Sequence, residues 1–495
     1  MENTLILDVH PKSHWSVLTI ILLYIFIFWL FLPVFLLAVG LRLDMLAPVA
    51  MSATAASTIF GWSLVICGFS LPAAGMGQLW FQGRGLPISH LPPSQFVANG
   101  IYKYFRHPVY LGFNAAFAGL AVLIASFWSL AFSSPLLSAG WIIYARFYEE
   151  PGLIKRFGDC YRTYMETTPM VIPKKMGRLS AVIFRPVFKK ICEGLTRIAR
   201  RTILFRRGRL ILVTNGLFIM TGSFLFVQHV TTLFFVQGVQ KNHVIIFLFG
   251  TMLSGSFFGY FFWWLGHWKE LVHQPLLGIK NNGFVSFGAL FGLLFASAAF
   301  ALVYRYPALM ITDVVVRGMF INYAIGRLGC VTYGCCWGKT SAHDGILYQN
   351  PQAKVLRLTG RKQALCYPTQ AFSSLEGLCL FILLNGLSLK RLPTGFLTAM
   401  VFLIYPAGRS FIEFYRERRL RFHEYFNEGH VSCAVMFGLG LALLFSLSPM
   451  ITRHSPLPWN VRAFVEGLSL VPLTLLIGIS VFFITGFHWK KVGTW

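Results

Sequence analysis

Apolar stretches of about twenty residues recur along the whole chain, separated by short polar or basic segments, and a helix of that length spans the roughly 30 Å hydrocarbon core of a bilayer. The clearer runs lie near residues 16–40, 53–75, 108–128, 130–147, 209–228, 244–265, 284–304, 370–388, 395–413, 432–450 and 465–487. One more, between 308 and 335, is interrupted by charges and glycines. The pattern predicts an all-α protein: polytopic membrane helical bundles with about twelve transmembrane helices in two modules. The first run is longer than a signal-peptide core of about 7–15 residues and no small-residue cleavage site follows it, so it reads as a retained span.

Composition and charge sharpen this picture. With 56% hydrophobic and only 12% charged residues over 495 positions, the chain has too little polar surface to coat a soluble globule. The net charge of +26 is concentrated in segments flanking the apolar runs: Lys174 to Arg209 holds twelve Lys or Arg and one acid, Glu193. Such a segment belongs on the cytoplasmic face against anionic headgroups. No basic, aromatic-studded soluble domain is present, so nucleic acid is not expected as a partner. Four spans before this segment and about eight after it place both termini in the cytoplasm, in a bacterial-type cytoplasmic (inner) membrane. The expected organisation is a membrane module over 1–175, a basic interfacial linker over 176–208 and a second membrane module over 209–495. The two halves show no internal repeat, which argues against a transporter built by duplication.

Nine cysteines, an odd number, sit mostly in apolar stretches and build no disulfide framework. Cys330, Cys335 and Cys336 in GCVTYGCCWG have no CxxC spacing and no nearby histidine, so no metal is expected there and close backbone packing at the glycines is the preferred reading.

In the first module the chemistry-bearing residues cluster at the ends of spans. They read RHPVYLG (Arg106 to Gly112) and EEPGLIKRFGDCYRTY (Glu149 to Tyr164). Arg146 and Glu150, four apart, share a helix face and pair, either as an interfacial salt bridge or around a substrate path. Together the two clusters resemble the isoprenylcysteine carboxyl methyltransferase and phospholipid methyltransferase superfamily of integral membrane enzymes. The resemblance covers roughly residues 50–175 and implies an S-adenosylmethionine site on the cytoplasmic side. It carries over His107, Tyr110, Glu149, Glu150 and Tyr161 as cofactor contacts, and Arg106, Arg146 and Glu150 for substrate and catalysis. Methyl transfer from a sulfonium needs in-line positioning and an aromatic and carboxylate surround, which these residue types supply.

The second module has three polar constellations: TDVVVRGMFINYAIGRLGCVTYGCCWGK (Thr312 to Lys339), CYPTQAFSSLEG (Cys366 to Gly377) and YPAGRSFIEFYRERR (Tyr405 to Arg419). Arg409, Glu413 and Arg416 are spaced to line one helix face. In this order the three resemble the prolipoprotein diacylglyceryl transferase family over about residues 240–450. The resemblance implies transfer of a diacylglyceryl group from phosphatidylglycerol to a lipoprotein cysteine thiol with release of glycerol phosphate; the partners expected of this chain are phosphatidylglycerol or another anionic membrane phospholipid and a lipid or lipidated acceptor. It implies Arg327 and Arg409 facing the leaving phosphate with Glu413 orienting them, and Gln370 and Arg416 beside them on the lipid phosphate. Phe287, in SFGALFG, occupies the place of the family's histidine, and Ser373 that of an acid. Thiol attack needs a base or a lowered thiol pKa. His267, His273, His343 and His423 are the substitutes available in sequence. The alternatives are a methyltransferase joined to a non-catalytic lipid-binding domain, and a transporter.

Overall fold

The computed structural model describes residues 19, 22–23, 25–85, 93–170, 174–266, 268, 286–342, 344–417, 428–448, 461–489 and 492. The chain divides into two compact units, Met1–Phe184 and Arg185–Trp495. Both are built of helices whose outward faces carry large apolar side chains, such as Phe60, Trp62, Ile66 and Phe69 in the first unit and Leu253 and Phe257 in the second. That is the surface a bilayer covers.

The first unit contains α1 (Leu32–Leu46), α2 (Ala55–Phe81), α3 (Pro108–Leu123), α4 (Ser134–Tyr144) and α5 (Glu150–Thr167). Wider π-type turns, Ile25–Phe31, Ser129–Ser133 and Ala145–Glu149, precede α1, α4 and α5. All three end just ahead of a proline, Pro33, Pro135 or Pro151, whose missing N–H interrupts the regular ladder and leaves room for the extra residue. Helices α2 and α3 approach along small residues. A Cβ at Gly112 would lie 2.3 Å from Pro72 Cδ and 2.6 Å from the Gly68 carbonyl oxygen, and one at Gly68 would lie 2.4 Å from the Ala116 nitrogen. Backbones in contact at this distance pack without side chains between them. Val109, Tyr110, Phe113, Phe117 and Trp141 fill the core beside this seam.

A basic helix, α6 (Lys174–Ala199), leads into the second unit and is followed by a hairpin of β1 (Ile203–Arg207) and β2 (Leu210–Val213). Next come α7 (Thr214–Val236), α8 (Lys241–Gly266), α9 (Ser286–Tyr304), α10 (Ala308–Tyr333), β3 (Ile346–Tyr348), α11 (Lys354–Thr359), β4 (Ala364–Cys366), α12 (Thr369–Leu387), α13 (Phe396–Glu413), α14 (Glu428–Ser446), α15 (Val461–Leu468), α16 (Val471–Gly486) and β5 (Phe487–Trp489). The strands form two small antiparallel sheets, β1-β2-β5 and β3-β4, a minor addition to the helical architecture. Phe234, Val244, Phe247, Ile311 and Val314 belong to its main apolar core.

Among the described residues eight helices are long and apolar enough to cross a membrane, nine if the bent pair α15–α16 is one span, rather than twelve. The runs at 108–128 and 284–304 give shorter apolar helices, Pro108–Leu123 and Phe291–Tyr304. The run at 130–147 is divided by π turns, and that at 465–487 begins with a 55° bend between α15 and α16. Hydropathy counts apolar length but does not see where prolines and turns divide it. The residues bearing on both termini lie outside the described set.

One contact aims the helix that carries the third constellation. The Asp313 carboxylate, from α10, accepts hydrogen bonds from the backbone N–H of Gly395 (2.7 Å) and Thr398 (2.9 Å) and from the Thr398 hydroxyl (2.7 Å). A neighbouring helix thus caps the start of α13, satisfying N–H groups that have no partner within the helix.

Candidate functional site

In the first unit the chain between α2 and α3 is pinned from two sides. The Tyr164 hydroxyl donates to the Tyr102 carbonyl (2.5 Å), the Tyr102 hydroxyl to the Gly75 carbonyl (3.3 Å), and the Arg106 N–H to the Pro169 carbonyl (3.0 Å). This brings the Arg106–His107 segment against the start of α5. Between them lies a cleft lined by Arg106, His107, Tyr110, Glu149, Phe157 and Tyr161 among others.

Two adjacent carboxylates divide the work. Glu149 faces the cleft, accepts a hydrogen bond from the Tyr110 hydroxyl (2.7 Å) and lies 3.6 Å from His107 Nδ1. Glu150, with 1% of its surface exposed, is enclosed: Arg106 Nη1 lies 3.0 Å from Oε1, Arg146 Nη1 3.0 Å from Oε2, and His107 Nε2 3.5 Å from Oε1. Burial acts to raise the Glu150 pKa, but the His107 imidazole and the Arg106 and Arg146 guanidiniums outweigh it and hold the carboxyl below its ordinary value. The π turn at Ala145–Glu149 precedes this pair, a distortion frequent at functional positions. Burial pushes the Tyr161 and Tyr164 hydroxyls up, so both remain neutral donors.

Arg106, His107, Tyr110, Glu149 and Tyr161 therefore share one cleft, whereas Glu150 sits behind it and the Arg146 side chain is 54% exposed. Two aromatic residues outside the motif pack against its rings. Trp141 stacks on Tyr110 at 4.6 Å, and Phe96 meets the rings of Phe157 and Tyr164 at 5.4 and 5.3 Å. Arg106 Nε and the Tyr161 hydroxyl are buried without a hydrogen-bond partner. Unspent donors beside a carboxylate and stacked rings suit a ligand carrying both a carboxylate and a cationic centre.

In the second unit α13 ends at Glu413, and the chain turns so that Arg416 pairs with Gly338 in a backbone bridge. Arg416 is thus off the helix, not on the face shared by Arg409 and Glu413 as the spacing suggested. The turn still returns its guanidinium to the same carboxylate: Arg409 Nη2 donates to Glu413 Oε1, and Arg416 Nη1 lies 2.9 Å from that oxygen. Glu413 is 1% exposed and Arg409 8%. Arg409 also reaches the Ser373 hydroxyl (3.4 Å), and the Arg327 guanidinium lies 4.8 Å from the centre of the Tyr323 ring. Gln370 spends its amide within the protein, donating to the Cys335 carbonyl (2.7 Å) and the Tyr348 hydroxyl (3.1 Å). It braces the loop after α10.

One acid was not singled out from the sequence. Glu376 lies against α13, where a Cβ at Gly408 would stand 2.5 Å from its Oε1, and both its oxygens are buried without a hydrogen-bond partner. It falls one helical turn after Ser373, which bonds Arg409, so helical periodicity from the PTQ segment was the signal available. The side chain of Phe287 and the four candidate histidines, His267, His273, His343 and His423, lie outside the described residues. The Sγ atoms of Cys330, Cys335 and Cys336 all lie within 4.8 Å of one another.

Two family models match in tandem, phospholipid methyltransferase over residues 56–160 and prolipoprotein diacylglyceryl transferase over residues 202–446. The family matches, together with the apolar helices, support a lipid-modifying membrane protein. Phosphatidylglycerol–prolipoprotein diacylglyceryl transferase 2 of Clostridium perfringens is 33% identical over 38% of this chain and 73% of its own length. A phosphatidylglycerol–prolipoprotein diacylglyceryl transferase of Nitrosomonas europaea is 28% identical over 48% and 80%. Methanethiol S-methyltransferase of Mycobacterium tuberculosis is 29% identical over 23% of this chain and 45% of that protein. The chain belongs to the prolipoprotein diacylglyceryl transferase family, with a methyltransferase-like unit ahead of the transferase region.

Proposed function

We propose that this chain is a bifunctional membrane enzyme, an S-adenosylmethionine-dependent methyltransferase of a lipid or lipidated substrate fused to a transferase that takes a diacylglyceryl group from phosphatidylglycerol. The observation that carries it is the presence in one polypeptide of two buried carboxylates, Glu150 and Glu413, each gripped by two arginines at the positions that resemble the two families.

In the first unit bound S-adenosylmethionine supplies an electrophilic methyl group. Arg106 and the Tyr161 hydroxyl would hold the cofactor's carboxylate, and Glu149, positioned by Tyr110 and His107, would offset its positive charge. Glu150 acts as a positioning residue, fixing Arg106 and His107, and Arg146 at the rim takes an anionic substrate head. In the second unit Arg327, Arg409 and Arg416 receive the phosphate as the acceptor atom bonds to the diacylglyceryl carbon, the bond from that carbon to the phosphate oxygen breaks, and glycerol phosphate leaves. Glu376 takes the acceptor's proton, in place of the imidazole that Phe287 replaces. The enzyme sits in a bacterial cytoplasmic membrane with both termini and the methyl-donor site on the cytoplasmic side.

Membranes from cells expressing the chain, given methyl-labelled S-adenosylmethionine and glyceryl-labelled phosphatidylglycerol, test both halves after extraction of lipid and protein. Both labels are expected in acceptors, the first lost in Glu150→Ala and the second in Arg327→Ala. Failure of either variant to reduce its label overturns that site. The place of Phe287 favours a second reading, a methyltransferase with a lipid-presenting, non-catalytic second unit; transfer of the first label alone selects it.

A further inference from the structure

The loop after α10 has a geometry that packing alone does not require. Gly334 ends the helix in the left-handed region (φ +70°), and Cys336, a residue that pays a steric penalty there, is left-handed as well (φ +54°). These two turns fold Cys335 and Cys336 back toward Cys330 on the last turn of the helix, which is how sulfurs with no metal-binding spacing in sequence come within 4.8 Å of one another.

The loop is also held from outside. Gln370 Nε2 and the Thr369 hydroxyl, at the start of α12, donate to the carbonyls of Cys335 (2.7 Å) and Cys336 (3.0 Å). On its far side Lys339 N–H donates to the Tyr415 carbonyl (2.8 Å), beside the Gly338–Arg416 bridge. The strained conformation is therefore built from several elements.

We propose that Cys330, Cys335 and Cys336 form a three-thiolate site for a soft, thiophilic d¹⁰ metal ion, zinc being the first candidate. Tetrahedral zinc, with Zn–S bonds of about 2.3 Å, sets its sulfurs roughly 3.8 Å apart, so a small inward movement of the three side chains closes the site. Each thiol releases a proton on binding. Arg327, one turn before Cys330 on α10, and Arg416, paired to Gly338, offset part of the thiolate charge. A bound ion ties the end of α10 to the loop that is paired with Arg416, and it leaves a fourth valence open.

The test uses the full chain, purified under reducing conditions in detergent without chelator. Elemental analysis is expected to find about one zinc per chain, falling at least severalfold in Cys336→Ser and in the triple Cys330→Ser/Cys335→Ser/Cys336→Ser variant, but not in Cys379→Ser. Where the variants fail to fold, the wild-type chain is stripped with chelator and titrated with Cd²⁺. Saturable sulfur-to-cadmium charge-transfer absorption, with three thiols protected from alkylation and mapped to these positions, supports the site. Substoichiometric metal that the triple variant retains, no thiol protection by Cd²⁺, or a disulfide among the three in the protein as purified overturns it. None of these readouts depends on methyl or diacylglyceryl transfer.

Discussion

Glu413 accepts contacts from two arginines through one oxygen, with its side chain fully enclosed and those of Arg409 and Arg416 only 9% and 12% exposed. Removing the carboxylate leaves two cations facing each other with little water to screen them. At an effective dielectric of about 20, two charges roughly 4 Å apart interact by about 4 kcal/mol, and breaking a buried pair by deleting one partner costs about 3–5 kcal/mol. Glu413→Ala is therefore expected to destabilise the chain by about 3–5 kcal/mol. Glu413→Gln keeps an acceptor of the same shape and loses less. Arg409→Ala/Glu413→Ala removes one stranded cation with the carboxylate, so its cost falls below the sum of the two single changes by about 0.5–3 kcal/mol. Thermal unfolding of the detergent-solubilised chain reads these differences. Diacylglyceryl transfer separates aim from stability: Glu413→Gln is expected to lose roughly tenfold or more in kcat/KM, about 1.4 kcal/mol per decade, while staying folded at the assay temperature. Strict additivity in the cycle, or unchanged transfer in Glu413→Gln, refutes the reasoning that one carboxylate holds both arginines for a phosphate.

Three further outcomes follow. Gly112→Val places methyl groups where Pro72 and the Gly68 carbonyl already stand and is expected to cost about 1–3 kcal/mol or to splay α2 from α3; thermal unfolding and loss of methyl transfer report it. Glu376→Gln is expected to reduce diacylglyceryl transfer roughly 100-fold or more with the methyl-transfer rate unchanged, and equal transfer rates would remove Glu376 from the mechanism. His488 is held down to about 4 by burial and then by the Arg357 charge, so the unfolded chain takes up a proton first as pH falls. Its contribution is full above pH about 6.5 and is lost progressively toward pH about 4, and unfolding midpoints across that range are expected to fall less steeply in His488→Gln.

Membrane helices were legible wherever an apolar run met no interruption, because length and hydropathy alone decide that a segment spans. They were not legible where a proline divided a run, as at Pro135, since a local hydrogen-bond defect leaves hydropathy untouched. The cleft residues Arg106, His107, Tyr110, Glu149 and Tyr161 were readable from two motifs, but Phe96, which also lines the cleft, was not, because a lone aromatic in a loop carries no mark of which cavity it will line. Arg416 was misplaced for a related reason: i+7 spacing assumes that the helix continues, and nothing between Glu413 and Arg416 breaks it by propensity. The cysteine cluster was hidden because its proximity depends on a left-handed Cys336, a conformation that the identity of the residue argues against.

The strand Phe487–Trp489 pairs with Leu210–Leu212, joining the start of the second unit to its very end. During synthesis every intervening helix leaves the ribosome before that partner exists, so the β2 edge waits unpaired while the membrane bundle assembles. Insertion and closure are thereby separated in time: the helices enter the bilayer as they emerge, and only the last strand seals the unit. A chain stopped at Gly486 would carry its helices into the membrane yet leave that edge open.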